Sequence, residues 1–216
     1  MSVSAKICGI STLEAARQAI KEGAVFLGFI HFAKSPRHLA LNDMASLMQA
    51  IRAEGGNPPL VSVVVDPDDT TLDRLRDEVK PDLIQLHGHE TPQRVADIAA
   101  RTGLPLIKVI SVATAADLDA APTYEPYADY LMFDAKTPKD AAMPGGLGIT
   151  FDWTLMRGYP GDKPWFLAGG LTPDNVADAA RQSGAPLVDV SSGVESAPGV
   201  KSLEMISRFL KAVKSL

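Results

Sequence analysis

Residues 164–195 read Pro164-Trp-Phe-Leu-Ala-Gly169-Gly170-Leu-Thr172-Pro173-Asp-Asn-Val-Ala-Asp-Ala-Ala-Arg-Gln-Ser-Gly184-Ala-Pro-Leu187-Val-Asp189-Val-Ser-Ser192-Gly193-Val-Glu195. A short apolar run ends in a glycine pair. Thr172-Pro173 then places a capping residue ahead of a proline in the first turn of a helix, where the missing N–H is no loss. Gly184 closes that helix, and a second apolar run starts at Leu187. The two runs begin 23 residues apart. About 22 residues hold a five-residue strand, two short loops and a three-turn helix, which makes one strand–helix unit.

The same unit recurs in both directions. Strand starts fall near Val3, Ala24, Leu60, Asp82, Pro105, Ala128, Pro164 and Leu187, at intervals of 21 to 23 residues except for two of 36. Between them Thr12 caps a helix with Leu13, Ala16 and Ile20 on one face, closed by Gly23. Asn42 opens another, with Met44, Leu47, Met48 and Ile51 turned inward, and Thr91-Pro92 a third that Gly103 stops. The fifth helix, Ala113 to Ala121, is short. The last carries Leu203, Ile206, Phe209, Leu210 and Val213 on one face. Eight repeats predict an α/β protein, a single closed (β/α)8 TIM barrel over residues 1–216. An open doubly wound sheet satisfies the same alternation, but no glycine fingerprint follows the first strand. Gly55-Gly-Asn-Pro-Pro59 reads as a simple connection rather than a domain linker.

Bulk composition narrows the partners. Hydrophobic residues make up 46% and charged residues 22%, with mean hydropathy near zero, as in a soluble globular chain. A net charge of −5 and a pI near 5.3 argue against nucleic acid or an anionic membrane as partner, but leave room for a small anion held by local donors. One cysteine allows no internal disulfide. With no apolar signal core or membrane-length stretch, the expectation is a cytoplasmic protein.

In this fold, function sits on the loops that follow the strands, at the C-terminal face. Both long intervals place their extra residues there, Ile30 to Leu41 and Asp134 to Thr150. The turns Gly169-Gly170 and Ser192-Gly193 fall after strands 7 and 8, where barrels commonly bind phosphate through backbone amides. Cys8 closes the first strand and is presented to the mouth; Asp134 closes the sixth, where a carboxyl suits a proton donor. Arg37, in the first long loop, has a fork that fits a carboxylate or phosphate. His87 and His89 flank Gly88, a pair that suggests a metal, yet no further ligand set has suitable spacing, so no metal site is expected. Asp189 is a polar residue inside an apolar strand, and it should point into the mouth or be hydrogen-bonded.

The ordered set Lys6-Ile-Cys-Gly-Ile10, Gly28-Phe29 with Ser35-Pro-Arg37, Gln85-Leu-His-Gly88, Asp134, Gly145-Gly-Leu-Gly148 with Phe151-Asp-Trp153, Leu167-Ala-Gly-Gly-Leu171 with Asn175-Val176, and Asp189-Val-Ser-Ser-Gly-Val-Glu195 resembles the phosphoribosylanthranilate isomerase family of tryptophan biosynthesis. The resemblance implies a cofactor-free Amadori rearrangement of N-(5-phospho-β-D-ribosyl)anthranilate. It makes Asp134 the general acid and Cys8 the general base. It also implies that Arg37 pairs with the anthranilate carboxylate and that His87 and Asp189 contact the amine or sugar hydroxyls. Gly169, Gly170, Ser192 and Gly193 would hold the phosphate of the phosphoribosyl substrate, in a monomer or homodimer. One departure stands out: where the family usually carries a small hydroxyl residue and a lysine around the third glycine of the strand-6 loop, this chain has Leu147 and Ile149. A metal-dependent phosphosugar epimerase and a non-catalytic phosphosugar-binding barrel are the competing readings.

Overall fold

The computed structural model describes residues 2–55, 58–138 and 145–216. Gly56 and Asn57 of the connection into the third strand, and 139–144 of the loop after the sixth, lie outside the described residues.

Eight parallel strands close on themselves in sequence order, as the repeat predicts. They are β1 (Ser4–Ile7), β2 (Phe26–His31), β3 (Leu60–Val64), β4 (Leu83–Leu86), β5 (Leu106–Val112), β6 (Tyr130–Ala135), β7 (Trp165–Leu167) and β8 (Leu187–Val190). The seam is the β1–β8 ladder, in which Lys6 stands opposite Asp189. The helices are α1 (Leu13–Lys21), α2 (Leu41–Ala53), α3 (Asp69–Arg74), α4 (Pro92–Thr102), α5 (Ala121–Tyr124), α6 (Val176–Ser183) and α7 (Leu203–Lys214).

Two layers of core follow from strand alternation. Outward-facing residues such as Ile7, Leu27, Ile84 and Val188 merge with the inner faces of the helices into one large cluster. Inward-facing Phe26, Val61, Leu83, Ile107, Val109, Met132, Phe166 and Ala168 form a second cluster that plugs the barrel. Phe26, Tyr130 and Phe166 pack edge-on or tilted, with ring centroids 5.3–5.8 Å apart. That plug fills the lower barrel, so the inward positions one step further along each strand must form the floor of the mouth.

Several local expectations needed correction. Thr12 and Thr91 do cap α1 and α4, accepting from Ala15 and Arg94 amides. Asn42 does not open α2: Ala40 is the cap, with no side-chain bond, and the Asn42 carboxamide instead accepts from Arg74. Thr172-Pro173 starts a turn rather than the helix. α6 begins at Val176, because Asn175 Oδ1 accepts from the Thr172 amide and tightens the turn first. The fifth connection is short, as read: a 3₁₀ stretch Ala115–Ala120 and the four residues of α5. After β6 the described residues hold only a 3₁₀ turn, Trp153–Met156. A small antiparallel hairpin, β9 (Glu195–Ala197) with β10 (Val200–Lys201), follows β8. The sequence reading did not foresee it.

Candidate active site

Inward parity carries each chemistry-bearing side chain to the mouth. On β1 the inward positions are Lys6 and then Cys8; on β4, Gln85 and then His87; on β6, Met132 and then Asp134; on β8, Asp189. Cys8, Gln85, His87, Asp134 and Asp189 all line one pocket, which encloses about 820 Å³ counting its open mouth. The strand-2 loop adds Arg37, and the turns after β7 and β8 add Gly169, Gly170, Ser192 and Gly193. All the singled-out site residues meet here except His89, whose side chain is exposed and lies 3.7 Å from Asp66. The His-x-His pair therefore diverges. Among the described residues no group of three or more His, Cys, Asp or Glu is placed to share a metal ion.

Cys8 sits just beyond β1, its amide bonded to Val190 O at 2.8 Å. Its thiol lies beside Gly28: a Cβ there would fall 2.8 Å from Sγ and 3.0 Å from Lys6 Nζ. Glycine at 28 is what allows a thiol and an ammonium to share this corner. Burial pushes the Cys8 thiol above its ordinary pKa; Lys6 opposes the shift, Asp189 adds to it and Lys201 opposes it. Lys6 is fully buried and donates to Asp189 Oδ1 at 2.8 Å. Burial works against its charge, but Asp189 and Cys8 outweigh that and hold it above the ordinary lysine value. Asp189 thus does both things expected of it, lining the mouth and being paired.

Asp134 is three strands from Cys8 around the barrel, by way of β7 and β8. Its Oδ1 accepts from the Ala135 amide at 2.8 Å, and Oδ2 lies 3.2 Å from His87 Nε2, close but not aligned as a hydrogen bond. His87 Nδ1 in turn faces Gln85 Nε2 at 3.3 Å, and the buried Gln85 Oε1 has no partner among the described residues. The strand-6 loop returns over this corner: a Cβ at Gly145 would meet His87 Nε2 at 2.7 Å and Asp134 Oδ2 at 2.8 Å.

Arg37 is buried, and two of its nitrogens are already engaged. Nε and Nη2 donate to Glu195 at 2.6 and 2.8 Å, and Lys201 Nζ reaches the same carboxylate at 2.8 Å. Paired with two cations, Glu195 is held below its usual pKa despite its burial. Burial also moves Lys201 down, below the ordinary lysine value, against its charged form. Among the described residues the corner of the fork left without a partner is Nη1, which lies against Gly146. Glu195 and Lys201 belong to the β9–β10 hairpin, so a two-rung hairpin fixes the pose of a residue in the strand-2 loop.

The two glycine turns are backbone devices. Gly169 and Gly170 have φ of +88° and +62°, and a Cβ on Gly170 would press on Thr150 Cγ2 at 2.5 Å and Ile149 O at 2.8 Å. Asn175 Nδ2 donates to Gly170 O at 2.9 Å and holds the turn open. Among the described residues the amides of Gly170, Ser192 and Gly193 donate to no protein acceptor, and all three residues line the pocket. Leu147 and Ile149, the departure noted in the sequence, are exposed at the rim of the same pocket.

Known proteins resemble this chain over nearly its whole length. A family model described as N-(5'phosphoribosyl)anthranilate (PRA) isomerase matches residues 5–212. The N-(5'-phosphoribosyl)anthranilate isomerase of Caulobacter sp. (strain K31) is 51% identical over 212 residues, covering 98% of this chain and 99% of that protein. The protein of the same name from Paramagnetospirillum magneticum is 51% identical over 214 residues, 99% of this chain and 98% of its own length. Among solved structures, phosphoribosyl anthranilate isomerase from Thermotoga maritima superposes with a TM-score of 0.86 at 33% identity, covering 99% of this chain and 100% of that one. A phosphoribosyl anthranilate isomerase in complex with reduced 1-(o-carboxyphenylamino)-1-deoxyribulose 5-phosphate gives 0.83 at 30% identity, with coverage of 99% and 100%. The chain belongs to the N-(5'-phosphoribosyl)anthranilate isomerase family.

Proposed function

We propose that this chain, acting as one barrel domain, is a phosphoribosylanthranilate isomerase of tryptophan biosynthesis. It converts N-(5-phospho-β-D-ribosyl)anthranilate to 1-(2-carboxyphenylamino)-1-deoxy-D-ribulose 5-phosphate, an aldose–ketose isomerisation. The observation that carries the reading is one pocket holding a thiol and a carboxyl on separate strands, with two glycine turns of uncommitted amides beside them.

The chemistry follows the geometry. Asp134 protonates the furanose oxygen; the C1–O bond breaks and the nitrogen lone pair closes an iminium. Cys8, as thiolate, removes the proton from C2. That C–H pair becomes the C1=C2 bond of an enolamine, and the iminium pair returns to nitrogen. In the final tautomerisation C1 gains a proton and the C2 hydroxyl loses one, which restores both groups to their starting states. A positioned acid or base of this kind contributes about 10²–10⁴ in rate. The amides of Gly170, Ser192 and Gly193 anchor the phosphate, and Gly169 supplies the turn that aims them. Arg37 offers Nη1 to the anthranilate carboxylate, and His87 and Asp189 take the sugar hydroxyls and the amine.

No helix among the described residues is long and apolar enough to cross a membrane. Our reading is of a cytoplasmic enzyme, a monomer or homodimer, that needs no cofactor; its net charge of −5 argues against nucleic acid as a partner. The test is turnover of phosphoribosylanthranilate, generated in situ because it is labile, under anaerobic conditions that protect Cys8. Loss of anthranilate-type fluorescence should proceed equally with and without chelator. A chelator-sensitive reaction, or none with this substrate, would favour a metal-dependent phosphosugar enzyme or a binding protein.

A further inference from the structure

Lys6 has no role in the scheme above, yet among the described residues it is the largest fully buried polar side chain. A buried ammonium needs a reason, since its desolvation costs several kcal/mol unless it is paired. Its partner Asp189 accounts for only part of its surroundings. Lys6 Nζ also shares a corner with the Cys8 thiol: a Cβ on Gly28 would lie 3.0 Å from Lys6 Nζ and 2.8 Å from Cys8 Sγ, and Lys6 is the largest influence opposing the upward push of burial on the thiol. One cation therefore lies between two groups that can each be negative, a carboxylate and a thiolate.

We propose that Lys6 is the positioning residue that sets the protonation of Cys8, and that Asp189 competes for its charge until a cationic intermediate draws Asp189 away. The second half of this inference rests on the isomerase reading; the first half does not.

The geometry gives the sequence of events. In the free enzyme the Lys6 ammonium is held by Asp189 Oδ1, and Cys8 keeps its proton. Asp189 lines the pocket, and its second oxygen, Oδ2, is uncommitted among the described residues. When the ring opens, a positive charge appears on the nitrogen next to C1, and Asp189 faces it. As the carboxylate turns part of its charge to the iminium, Lys6 is left to its other neighbour, and the thiol becomes easier to ionise. The thiol's proton leaves to water at the mouth, the thiolate takes the C2 proton and passes it to C1, and the resting thiol then regains a proton from water. The base is thus armed by the product of the acid step, so a strongly nucleophilic thiolate need not stand exposed in the resting enzyme.

Other charges face this corner and must be counted. From β10, Lys201 also acts on Cys8, but its ammonium is bonded to Ser191 O and Glu195 Oε1. Arg37 approaches through Gly9, where a Cβ would meet its Cδ at 2.6 Å, but its fork is bound to Glu195. Glu195 is therefore already shared by two cations. Lys6 and Asp189 are the pair left to respond.

Because Cys8 is the only cysteine, the pH dependence of its alkylation by iodoacetamide reports the ionisation of this one thiol in the whole enzyme. Lys6→Met should move the ionisation to higher pH by about one unit or more, the size of effect a close opposite charge produces. Asp189→Asn should move it to lower pH. The double variant Lys6→Met/Asp189→Asn, which leaves no unpaired charge, should titrate above Asp189→Asn alone, and this comparison holds if the single lysine variant folds poorly. In the isomerase assay, the acid limb of kcat/KM should shift with the thiol in each variant, whereas a purely structural lysine would lower rate without moving the limb. A thiol ionisation that does not move in either comparison that removes Lys6 overturns the inference, whatever the activity. Shifts as expected in an enzyme that does not turn over phosphoribosylanthranilate would sink the isomerase reading and leave the Lys6–Cys8 coupling standing.

Discussion

The guanidinium of Arg37 has three nitrogens, and Glu195 takes two of them. What faces the pocket is a rigidly held corner, Nη1, with Gly146 above it. Such pre-organisation favours reading a carboxylate, because little side-chain freedom remains to be lost on binding. Arg37→Ala should lower kcat/KM by about 10- to 100-fold, the range for losing a charge-assisted bond of ~1.5–3 kcal/mol. Arg37→Lys should recover only part of that, since an ammonium cannot hold Glu195 with two parallel bonds. An analogue carrying aniline in place of anthranilate separates binding from folding. Wild type should discriminate strongly against it, and Arg37→Ala should handle the two compounds nearly alike; equal preference in both enzymes would remove Arg37 from carboxylate reading. At this scale legibility depended on contrast. Cys8, Asp134 and Asp189 stand out as lone reactive or polar residues on apolar strands. Lys6 was visible only as the first residue of a motif, because the carboxylate that pairs with it lies 183 residues away. Gln85 and Glu195 were visible as parts of motifs, but their partners were not.

Loops and turns make the site, and here the glycines divide by what surrounds them. Gly170 has φ of +62° and is closely walled by the strand-6 loop, whereas Gly103 has φ of +64° and nothing within 4 Å of an added Cβ. Gly103→Ala should therefore cost stability alone, on the order of 1 kcal/mol for an alanine forced to positive φ. Gly170→Ala should carry that cost and also displace the amides at the anion site. The KM for substrate and the inhibition constant for inorganic phosphate should both rise about tenfold or more, as for a lost bond to a charged group. Competition by phosphate that is unchanged in Gly170→Ala would place the anion elsewhere. Helices were readable where capping chemistry was local and undisputed, as at Thr12 and Thr91, and misread at Asn42, whose side chain Arg74 takes, and at Thr172, whose amide is drawn into a turn by Asn175 before the helix begins. The β9–β10 hairpin was invisible because strands of three and two residues carry no period to detect. Its role is set by the ion pairs it makes rather than by its own pattern.

Barrel closure sets the distances in the mouth, and the closure depends on the plug beneath it. Phe166 is fully buried among inward-facing residues, its ring 5.3 Å from that of Phe26 and 5.7 Å from that of Tyr130. Phe166→Ala should destabilise the enzyme by about 3–5 kcal/mol, read from denaturant unfolding monitored by circular dichroism. A loss below ~1 kcal/mol would mean that the interior collapses to fill the gap and is not a rigid floor. The eightfold repeat was legible because most units spend a similar number of residues from one strand start to the next, and the two long intervals showed which face holds the site. The claim that joins fold to function is that Cys8 and Asp134, brought to one pocket from strands 1 and 6, perform the two proton transfers. The most direct measurement is steady-state turnover of phosphoribosylanthranilate by wild type, Cys8→Ser and Asp134→Asn, with each variant's fold checked by circular dichroism. Each substitution should lower kcat by at least ~100-fold while leaving the fold intact; a folded variant of either kind that retains activity within about threefold of wild type, far less than the loss of an acid or base allows, would contradict the account.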